Sequence, residues 1–172
     1  KISAKKLAKK IGLPIVPGSS ESIGSNANEE AEKIGYPIII KAASGGGGRG
    51  MRIVDSESEL ENSLNLTRSE AEKAFGDPTV YMEKFFTSPR HIEVQVLGDK
   101  FGNVIHLGER DCSLQRRHQK VIEEAPALGI PQELKEEIHS KCIEACKKIK
   151  YVSAGTFEFL YENEKFYFME MN

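Results

Sequence analysis

A glycine-rich run between Lys41 and Met51 is the segment of this chain most suited to chemistry. Five of the six residues from 45 to 50 are glycine, and so few side chains let backbone N–H groups approach a polyanion closely. The apolar residues 36–40 predict a buried strand that ends on the cation Lys41, and residues 51–54 predict a second strand. This order predicts a hairpin flap over phosphates, because the Gly-x-x-x-x-Gly-Lys-Ser/Thr motif is absent. A flexible surface loop is the alternative.

Three oxygen-bearing side chains near the last residues form a second candidate site. Glu170 and Asn172 lie two positions apart on a predicted strand and therefore project from the same face. Glu158 joins that face if the hairpin pairs residues whose numbers sum to an even value, and a pairing of 158 with 168, for example, sets it diagonal to Glu170 at about 7–8 Å. Two carboxylates and an amide carbonyl suit one or two hard divalent cations such as Mg²⁺. Solvated polar positions on a half-exposed sheet are the alternative.

The densest basic segment is Gln115–Lys120, with the sequence Gln-Arg-Arg-His-Gln-Lys. Lysine supplies a point charge and arginine a fork that suits carboxylate or phosphate, so we expect the segment to face a triphosphate or a small anion. A nucleic-acid surface is disfavoured, because the formal net charge is −2 and no aromatic residues are interleaved with these cations. A solvated loop is the remaining alternative.

Length and composition limit the class of protein. The 172 residues suit one domain or one domain with a small lobe. The apolar runs are too short to cross a bilayer and no signal-peptide pattern opens the chain, so we expect no membrane segment. Three cysteines, an odd and sparse set, favour a reducing intracellular compartment. The pair Cys142 and Cys146 is predicted to be buried thiols, because two ligands do not make a zinc site.

The pattern of apolar residues predicts an α+β fold with a mainly antiparallel sheet and flanking helices. In one predicted strand the aliphatic residues share one face, and His91, Glu93 and Gln95 share the other. Ser56 and Glu59 have the spacing of a capping box and open a long helix. The predicted helices are 2–11, 28–34, 56–75 and 131–149, and the predicted strands are 36–40, 51–54, 79–84, 91–97, 101–108, 119–124, 155–161 and 166–172.

These motifs, in this order, resemble the biotin carboxylases of the ATP-grasp superfamily over essentially the whole chain. The segments that carry the resemblance are the glycine-rich flap 41–51, the adenine and ribose segments 82–86 and 89–96, the signature 109–126, and the metal-binding strands 154–160 and 168–172. The resemblance implies an ATP-grasp fragment of three parts. These are a helix and connector (1–18), a flap subdomain (19–85) and an incomplete core (86–172).

The resemblance implies a role for each candidate residue. Lys1 and Lys41 contact ATP phosphates, and the backbones of Gly47 and Gly48 cover them. Lys120 binds bicarbonate, and it is the catalytic residue together with His118, which lies near the phosphates. The residues implied to hold Mg²⁺ or Mn²⁺ are Glu158, Glu170 and Asn172, of which the two glutamates also belong to the ATP site. The other residues implied for the nucleotide pocket are Met51, Glu83, Lys84, Phe85, Phe86, His91 and Gln115.

The resemblance implies a ligase that uses MgATP and bicarbonate to form carboxyphosphate and then carboxylates biotin on a carrier protein. Bicarbonate is a poor electrophile, and ATP converts its oxide leaving group into phosphate. Phosphoryl transfer needs neutralised oxygens and in-line geometry more than covalent help. The implied partners are a biotin carboxyl carrier domain and a carboxyltransferase, in a homo-oligomeric parent such as acetyl-CoA or pyruvate carboxylase. The implied location is the cytoplasm, or the mitochondrial matrix in a eukaryote.

The family pattern extends beyond this sequence at both ends. Family members have an N-terminal α/β domain and continue past the position of Asn172 with Thr-Arg-Ile/Leu-Gln-Val-Glu-His, which holds a catalytic arginine and the expected bicarbonate base. We therefore expect a central fragment that is inactive alone. The alternatives are another ATP-grasp carboxylate-activating ligase, such as carbamoyl-phosphate synthetase, and a non-catalytic nucleotide-binding module. The segment Gln115–Lys120 favours biotin carboxylase over the first alternative.

Overall fold

The structure is a computed structural model that describes residues 2–19, 22–24, 26–45, 50–117 and 119–172. The predictions made for Lys1, Gly47, Gly48 and His118 lie outside the described residues. The chain divides into two compact units, one of residues 1–2 and 16–87 and one of residues 3–15 and 88–172. The predicted α+β class is confirmed, because helices accompany two antiparallel sheets. Within the described ranges, no helix combines the length and apolar character needed to cross a membrane.

The elements follow the predicted order along the chain. The helices are α1 (Ile2–Ile11), α2 (Ala27–Ile34), α3 (Glu57–Phe75) and α4 (Gln132–Ile149), and the strands are β1 (Ile38–Ala42), β2 (Met51–Val54), β3 (Val80–Lys84), β4 (Arg90–Gly98), β5 (Val104–Arg116), β6 (Gln119–Glu124), β7 (Ser153–Glu162) and β8 (Lys165–Met171).

The first unit is built on an antiparallel sheet in the order β2–β1–β3, whose apolar face packs against α3. Ile38, Ile40 and Ala42 of β1 are buried, and the residues between them are half-buried, as expected for a strand with one face in the core. Backbone hydrogen bonds tie the chain around Gly18 to the outer edge of β3. Glycine is required there, because a Cβ would lie 2.5 Å from the carbonyl oxygen of Met82.

The second unit is built on an antiparallel sheet in the order β6–β5–β4–β7–β8. One face of this sheet forms the apolar core, in which Ile138 and Cys142 of α4 pack with Phe157 and Phe159 of β7. The β7–β8 hairpin turns at residues 163 and 164, whose φ values of +51° and +58° suit a two-residue hairpin turn. Because side chains alternate along each strand, the opposite face of β4 and β7 is left for polar residues.

The bounds predicted for the strand 101–108 are wrong, because β5 runs from Val104 to Arg116. Before β5, the Asp99 carboxylate accepts the backbone N–H groups of Phe101 and Asn103, which makes a turn of the residues expected to start the strand. At its other end, β5 continues through the charged residues 109–111, each of which pairs with a charge on another element. Charge pairing thus stabilises this segment as a strand, whereas its composition alone suggests a loop.

Two local expectations also differ from the structure. Residue 158 does not pair with residue 168, because the hairpin pairs Phe159 with Phe168 and a bulge after Glu158 sets it directly opposite Glu170, a pairing that still has an even sum. The capping box at the start of α3 is incomplete, since Ser56 occupies the N-cap position without a side-chain cap hydrogen bond. Its hydroxyl instead contacts the hydroxyl of Ser58 at 3.0 Å. The helix therefore begins where predicted, but the expected serine hydrogen bond does not form.

Candidate functional site

The first unit places Lys41 beside a buried carboxylate. Lys41 of β1 lies opposite Tyr81 of β3, and Glu83 lies two residues further along the same face. Lys41 Nζ is 2.7 Å from Glu83 Oε2, and Glu83 is only 4% exposed. The sequence assigns Lys41 to phosphate and Glu83 to the nucleotide pocket, and the structure brings the two together. An anion that binds Lys41 therefore shares its ammonium group with Glu83.

Lys84 lies at the end of β3, where two backbone carbonyl groups hold its ammonium group. Its Nζ donates hydrogen bonds to the carbonyl oxygens of Gly35 and Tyr36, at 2.9 and 2.8 Å. The lysine therefore ties the end of β3 to the chain that leads into β1. The other expected pocket residues of this unit lie at strand ends, Met51 at the start of β2 and Phe85 and Phe86 directly after β3.

One face of the sheet in the second unit carries a row of charged side chains on neighbouring strands. The strand registers place Glu93 of β4 opposite Glu158 of β7 on one side and opposite Arg110 of β5 on the other. Glu170 of β8 lies opposite Glu158 and extends the row, and Lys120 reaches into it from β6. Because directly paired residues share a face, strand pairing brings these charges together.

Lys120 binds both buried carboxylates of this row. Its Nζ lies 3.1 Å from Glu158 Oε1 and also contacts Glu93 Oε1. Arg110 Nη2 donates to Glu93 Oε2 at 2.9 Å, and Asn172 Nδ2 donates to Glu158 Oε1 at 2.7 Å. Glu93 is 2% and Glu158 5% exposed, so protein donors stabilise these carboxylates where water cannot reach them.

The imidazole of His91 completes the cluster. Its Nε2 lies 3.0 Å from Glu158 Oε2 and 3.3 Å from Glu93 Oε1, and its Nδ1 lies 3.0 Å from the Gln115 amide nitrogen. Burial lowers the pKa of His91, but the hydrogen bonds to Glu158 and Glu93 outweigh burial and raise it from 6.5 to about 9. The ring is therefore cationic at neutral pH, next to two carboxylates.

The same contacts shift the pKa of each partner. The hydrogen bond from His91 is the largest cause that lowers the pKa of Glu158, against the opposing effect of burial. Burial also opposes ionisation of Glu93, but His91, Lys120 and Arg110 together lower its pKa well below the usual range. Burial opposes the charge on Lys120, and the two glutamates outweigh it and raise the pKa. The cluster therefore keeps its ion pairs across the neutral range.

Two overlapping sets of donors could hold a metal ion on this face. The set predicted from sequence is Glu158, Glu170 and Asn172, which offers the oxygen ligands that Mg²⁺ prefers. Among the described residues, ligand atoms of His91, Glu93 and Glu158 also lie within 4.8 Å of one another. A cationic imidazole cannot donate a lone pair, whereas each residue of the predicted set offers an oxygen atom. The oxygen set is therefore the better fit for a hard divalent cation.

Comparison with known proteins identifies the family. A model described as the carbamoyl-phosphate synthase L chain, ATP binding domain, matches residues 1–172. The chain belongs to this ATP-grasp family. It is 61% identical over 175 residues to the biotin carboxylase of Pseudomonas aeruginosa, in a match that covers 100% of this chain and 39% of that protein. The chain therefore spans well under half the length of this relative.

Solved structures of biotin carboxylases share the fold of this ATP-grasp chain. A biotin carboxylase in complex with beta-gamma-ATP from Campylobacter jejuni is 55% identical with a TM-score of 0.91, and the match covers 99% of this chain and 39% of that one. The biotin carboxylase domain of the Hydrogenobacter thermophilus 2-oxoglutarate carboxylase, with MgADP, ADP and bicarbonate, is 48% identical with a TM-score of 0.91. That match covers 100% of this chain and 39% of the other. The predicted resemblance to biotin carboxylases is confirmed.

Within the second unit, the structure brings together six of the residues predicted for the site of this ATP-grasp chain. Their contacts and strand pairings join His91, Gln115, Lys120, Glu158, Glu170 and Asn172. The functional assignment of each of these residues stays a prediction, as do the assignments of Lys41, Glu83 and Lys84 in the first unit.

Sequence reasoning missed Glu93 and Arg110, which lie at the centre of the cluster. Glu93 contacts Lys120, Arg110 and His91, and Arg110 also contacts Gln95 Oε1 at 3.1 Å. A signal for Glu93 was present, because His91, Glu93 and Gln95 alternate along one predicted strand face. Arg110 lies in the signature 109–126, but the predicted strand 101–108 ended before it, so the sequence did not place it beside Glu93.

Proposed function

We propose that this chain forms the ATP-binding part of a biotin carboxylase, which uses MgATP and bicarbonate to carboxylate biotin on a carrier protein. The observation that carries the proposal is the position of Lys120. Its ammonium lies between Glu93 and Glu158, beside His91, on the sheet face that also holds Glu170. A cation held beside oxygen ligands for a metal suits a small anion that must meet a metal-bound nucleotide.

The proposed reaction begins with an attack of a bicarbonate oxygen on the γ-phosphorus of ATP. The bond from that phosphorus to ADP breaks, and carboxyphosphate and ADP result. A bond then forms between the carboxyl carbon and the ureido nitrogen of biotin as the bond from that carbon to the phosphate oxygen breaks, and the departing phosphate takes the proton that the nitrogen loses. In this scheme Lys120 binds and orients bicarbonate, and Lys41 binds phosphate oxygens. Positioning and charge neutralisation supply most of the catalysis of phosphoryl transfer.

The donors on the sheet face fit a magnesium ion. Glu158 and Glu170 are directly paired, and Asn172 contacts Glu158 through its amide nitrogen. These three residues would hold the ion, which neutralises phosphate oxygens when it is bound. Glu158 would contact both the ion and the side chains of His91 and Lys120, and these two side chains hold its carboxylate ionised and in place. The predicted cover of the phosphates by the backbones of Gly47 and Gly48 remains part of the proposal.

Calorimetric titration of MgATP into the protein tests the nucleotide and metal assignments. We expect Lys41→Ala and Glu158→Gln each to weaken binding by about tenfold or more, because each removes a charged contact worth about 1.5–3 kcal/mol. Glu162→Gln is the matched control, since Glu162 lies on the same strand but at its hairpin end, where it accepts the backbone N–H of Ser88 at 3.0 Å. Equal heats for the unsubstituted protein, Lys41→Ala and Glu158→Gln would contradict the assignments.

A second candidate is a carboxylate-activating ligase of the carbamoyl-phosphate synthetase type, which the description of the matched family favours. Both reactions cleave ATP in the presence of bicarbonate, so the two candidates differ in the compound that accepts the activated carboxyl group. We expect the full-length protein to cleave ATP faster when biotin is added. Stimulation by ammonia with no response to biotin would support the second candidate instead.

The proposal also includes the partner proteins and the cellular location of the chain. A carboxylase needs a biotin carboxyl carrier and a carboxyltransferase as partners, in the same chain or in separate subunits. The three cysteines are all free and buried, which suits the reducing environment of the cytoplasm. Co-purification of a biotinylated protein with the full-length protein, detected with streptavidin, would support the proposed partnership.

A further inference from the structure

A turn built into β5 lies directly beside His91. The pairing of β5 with β6 shifts register between Asp111 and Leu114, so the strand bulges there. Asp111 Oδ1 accepts hydrogen bonds from the backbone N–H of Ser113 at 2.9 Å and from its hydroxyl. This Asp–Ser turn, residues 111–113, is a local structure that an aspartate stabilises by replacing lost strand hydrogen bonds.

The Asp–Ser turn holds His91 at two points. Ser113 Oγ accepts the backbone N–H of His91 at 2.9 Å. The carbonyl oxygen of Cys112 accepts the Gln115 side-chain amide at 2.9 Å, and the same amide lies 3.0 Å from His91 Nδ1. The shared amide nitrogen can donate to Cys112 and to Nδ1 only while Nδ1 carries no proton; a protonated Nδ1 needs the amide oxygen instead, and the hydrogen bond to Cys112 is then lost. The turn therefore holds the backbone of His91 in either state of the ring, and it holds the ring through Gln115 in the neutral state.

The ring needs such a restraint. The χ2 torsion of histidine has a broad energy profile, so packing and hydrogen bonds must choose its orientation. Nε2 reaches Glu158 and Glu93 only while Nδ1 faces Gln115. A turned ring would lose these contacts and leave two buried carboxylates with one cationic partner fewer.

Arg90 anchors the Asp–Ser turn from the other side. Its Nε and Nη2 both donate to Asp111 Oδ2, at 2.9 and 2.7 Å, and its Nη2 also reaches the carbonyl oxygen of Leu128 at 2.7 Å. One carboxylate oxygen of Asp111 thus serves the arginine and the other serves Ser113. Because Arg90 and His91 are neighbours on β4, the turn is clamped to the strand that it positions.

We propose that Asp111 and Ser113 are positioning residues that set the orientation of the His91 ring in the nucleotide and metal site. Their importance for ligand binding rests on the proposed function, whereas their effect on the ring does not. In the part of the chain that the structure describes, neither residue contacts the carboxylates of the site. Both act through His91 and Gln115, in the way that outer hydrogen bonds orient the ligands of a metal centre.

The test combines the spectrum of the ring with ligand affinity. The protein is labelled with ¹⁵N at its four histidines, and His91→Gln assigns the signals of His91. Ser113→Ala removes the hydroxyl, and Ser113→Thr keeps it. Asp99→Ala is the matched control for Asp111→Ala, because Asp99 accepts backbone N–H groups in a similar turn at the opposite end of the β4–β5 pair. MgATP affinity is measured by calorimetry for each variant.

We expect Ser113→Ala and Asp111→Ala to shift the ring nitrogen signals of His91 and to weaken MgATP binding by about tenfold or more. We expect Ser113→Thr and Asp99→Ala to change neither. Unchanged ring signals in Ser113→Ala would overturn the inference, and so would equal changes in Asp99→Ala. If Asp111→Ala does not fold, the two Ser113 variants test the inference without it, because Ser113 is exposed. Failure of the unsubstituted protein to bind MgATP contradicts the proposed function, and the ring signals still test the positioning.

Discussion

Replacement of Glu93 by glutamine probes the charge balance at the centre of the cluster. Glu93 is 2% exposed and contacts the ring of His91 at 3.3 Å, Arg110 at 2.9 Å, and Lys120. Glutamine keeps the size of the side chain and removes its charge. His91 then retains only Glu158 as an anionic partner, at 3.0 Å. We therefore expect His91 to lose its proton at a lower pH in Glu93→Gln.

The size of the effect follows from the two carboxylate contacts. The pKa of His91 is raised from 6.5 to about 9, with a larger part from Glu158 than from Glu93. At about 1.4 kcal/mol per pH unit the rise corresponds to about 3 kcal/mol, and solvent screening lowers this to about 2 kcal/mol. Since Glu93 raises the pKa of His91 less than Glu158 does, we expect its loss to lower the pKa by about one pH unit.

The pH dependence of stability has the sign expected for a raised pKa. The charged ring stabilises the fold fully below pH 6.5, and this contribution disappears as the pH rises through about 9. The unfolding free energy should therefore decrease between these two values. In Glu93→Gln the decrease should be complete about one pH unit lower.

An NMR titration of the His91 ring measures the shift directly, with His91→Gln as the assignment control. Glu123→Gln is the matched variant, because Glu123 pairs with Arg110 at 3.3 Å and, within the described part of the chain, does not contact the ring. We expect the midpoint to fall in Glu93→Gln and to stay near 9 in Glu123→Gln. An unchanged midpoint in Glu93→Gln would refute the argument, and so would an equal fall in both variants.

Three further predictions concern stability and reactivity. Glu109→Gln removes the anionic partner of a half-buried lysine and a buried histidine of α4 and should cost about 3 kcal/mol in urea unfolding. Glu137→Gln breaks an exposed helix pair and should cost about 0.5 kcal/mol; equal losses would contradict this. Gly98→Ala brings a Cβ to 2.4 Å from a backbone carbonyl oxygen and should lower the free energy of unfolding by about 1–3 kcal/mol. In Gly24→Ala the new Cβ meets nothing nearer than 3.9 Å, so this control should change stability little. The three cysteines are buried and their pKa values are raised. Ellman's reagent should therefore modify none of them in the native protein and all three after unfolding. Modification of the native protein would contradict this, because it would show that a thiol is accessible.

The order and type of the elements could be predicted from sequence because the apolar periodicity is strong. Ile38 and Ile40 alternate with less buried residues along β1, and Ile138 and Cys142 repeat at helical spacing along α4. Strand β5 could not be bounded in this way. Its charged residues are favourable in the sheet only because partners such as Arg90 for Asp111 come from distant parts of the sequence.

The candidate site was predictable as a set of residues but not as a geometry. Alternation places His91 and Glu93 on one face without knowledge of the neighbouring strands. The partners of Glu93 depend on registers that bulges set, and a bulge leaves no clear signal in a single sequence. Phe159 pairs with Phe168, so a regular register would set Glu158 opposite Met169, and the bulge after Glu158 sets it opposite Glu170 instead. The ion pairs of Lys120 depend on the same pairings.

The transfer of labelled carbon from bicarbonate to biotin by the full-length protein tests the central claim most directly. We predict transfer that requires MgATP, is abolished in Lys120→Met and persists in Lys141→Met, whose lysine forms an exposed pair on α4. Transfer that survives in Lys120→Met would contradict the role proposed for this lysine. ATP cleavage without labelled biotin at any concentration of bicarbonate would contradict the assignment as a biotin carboxylase.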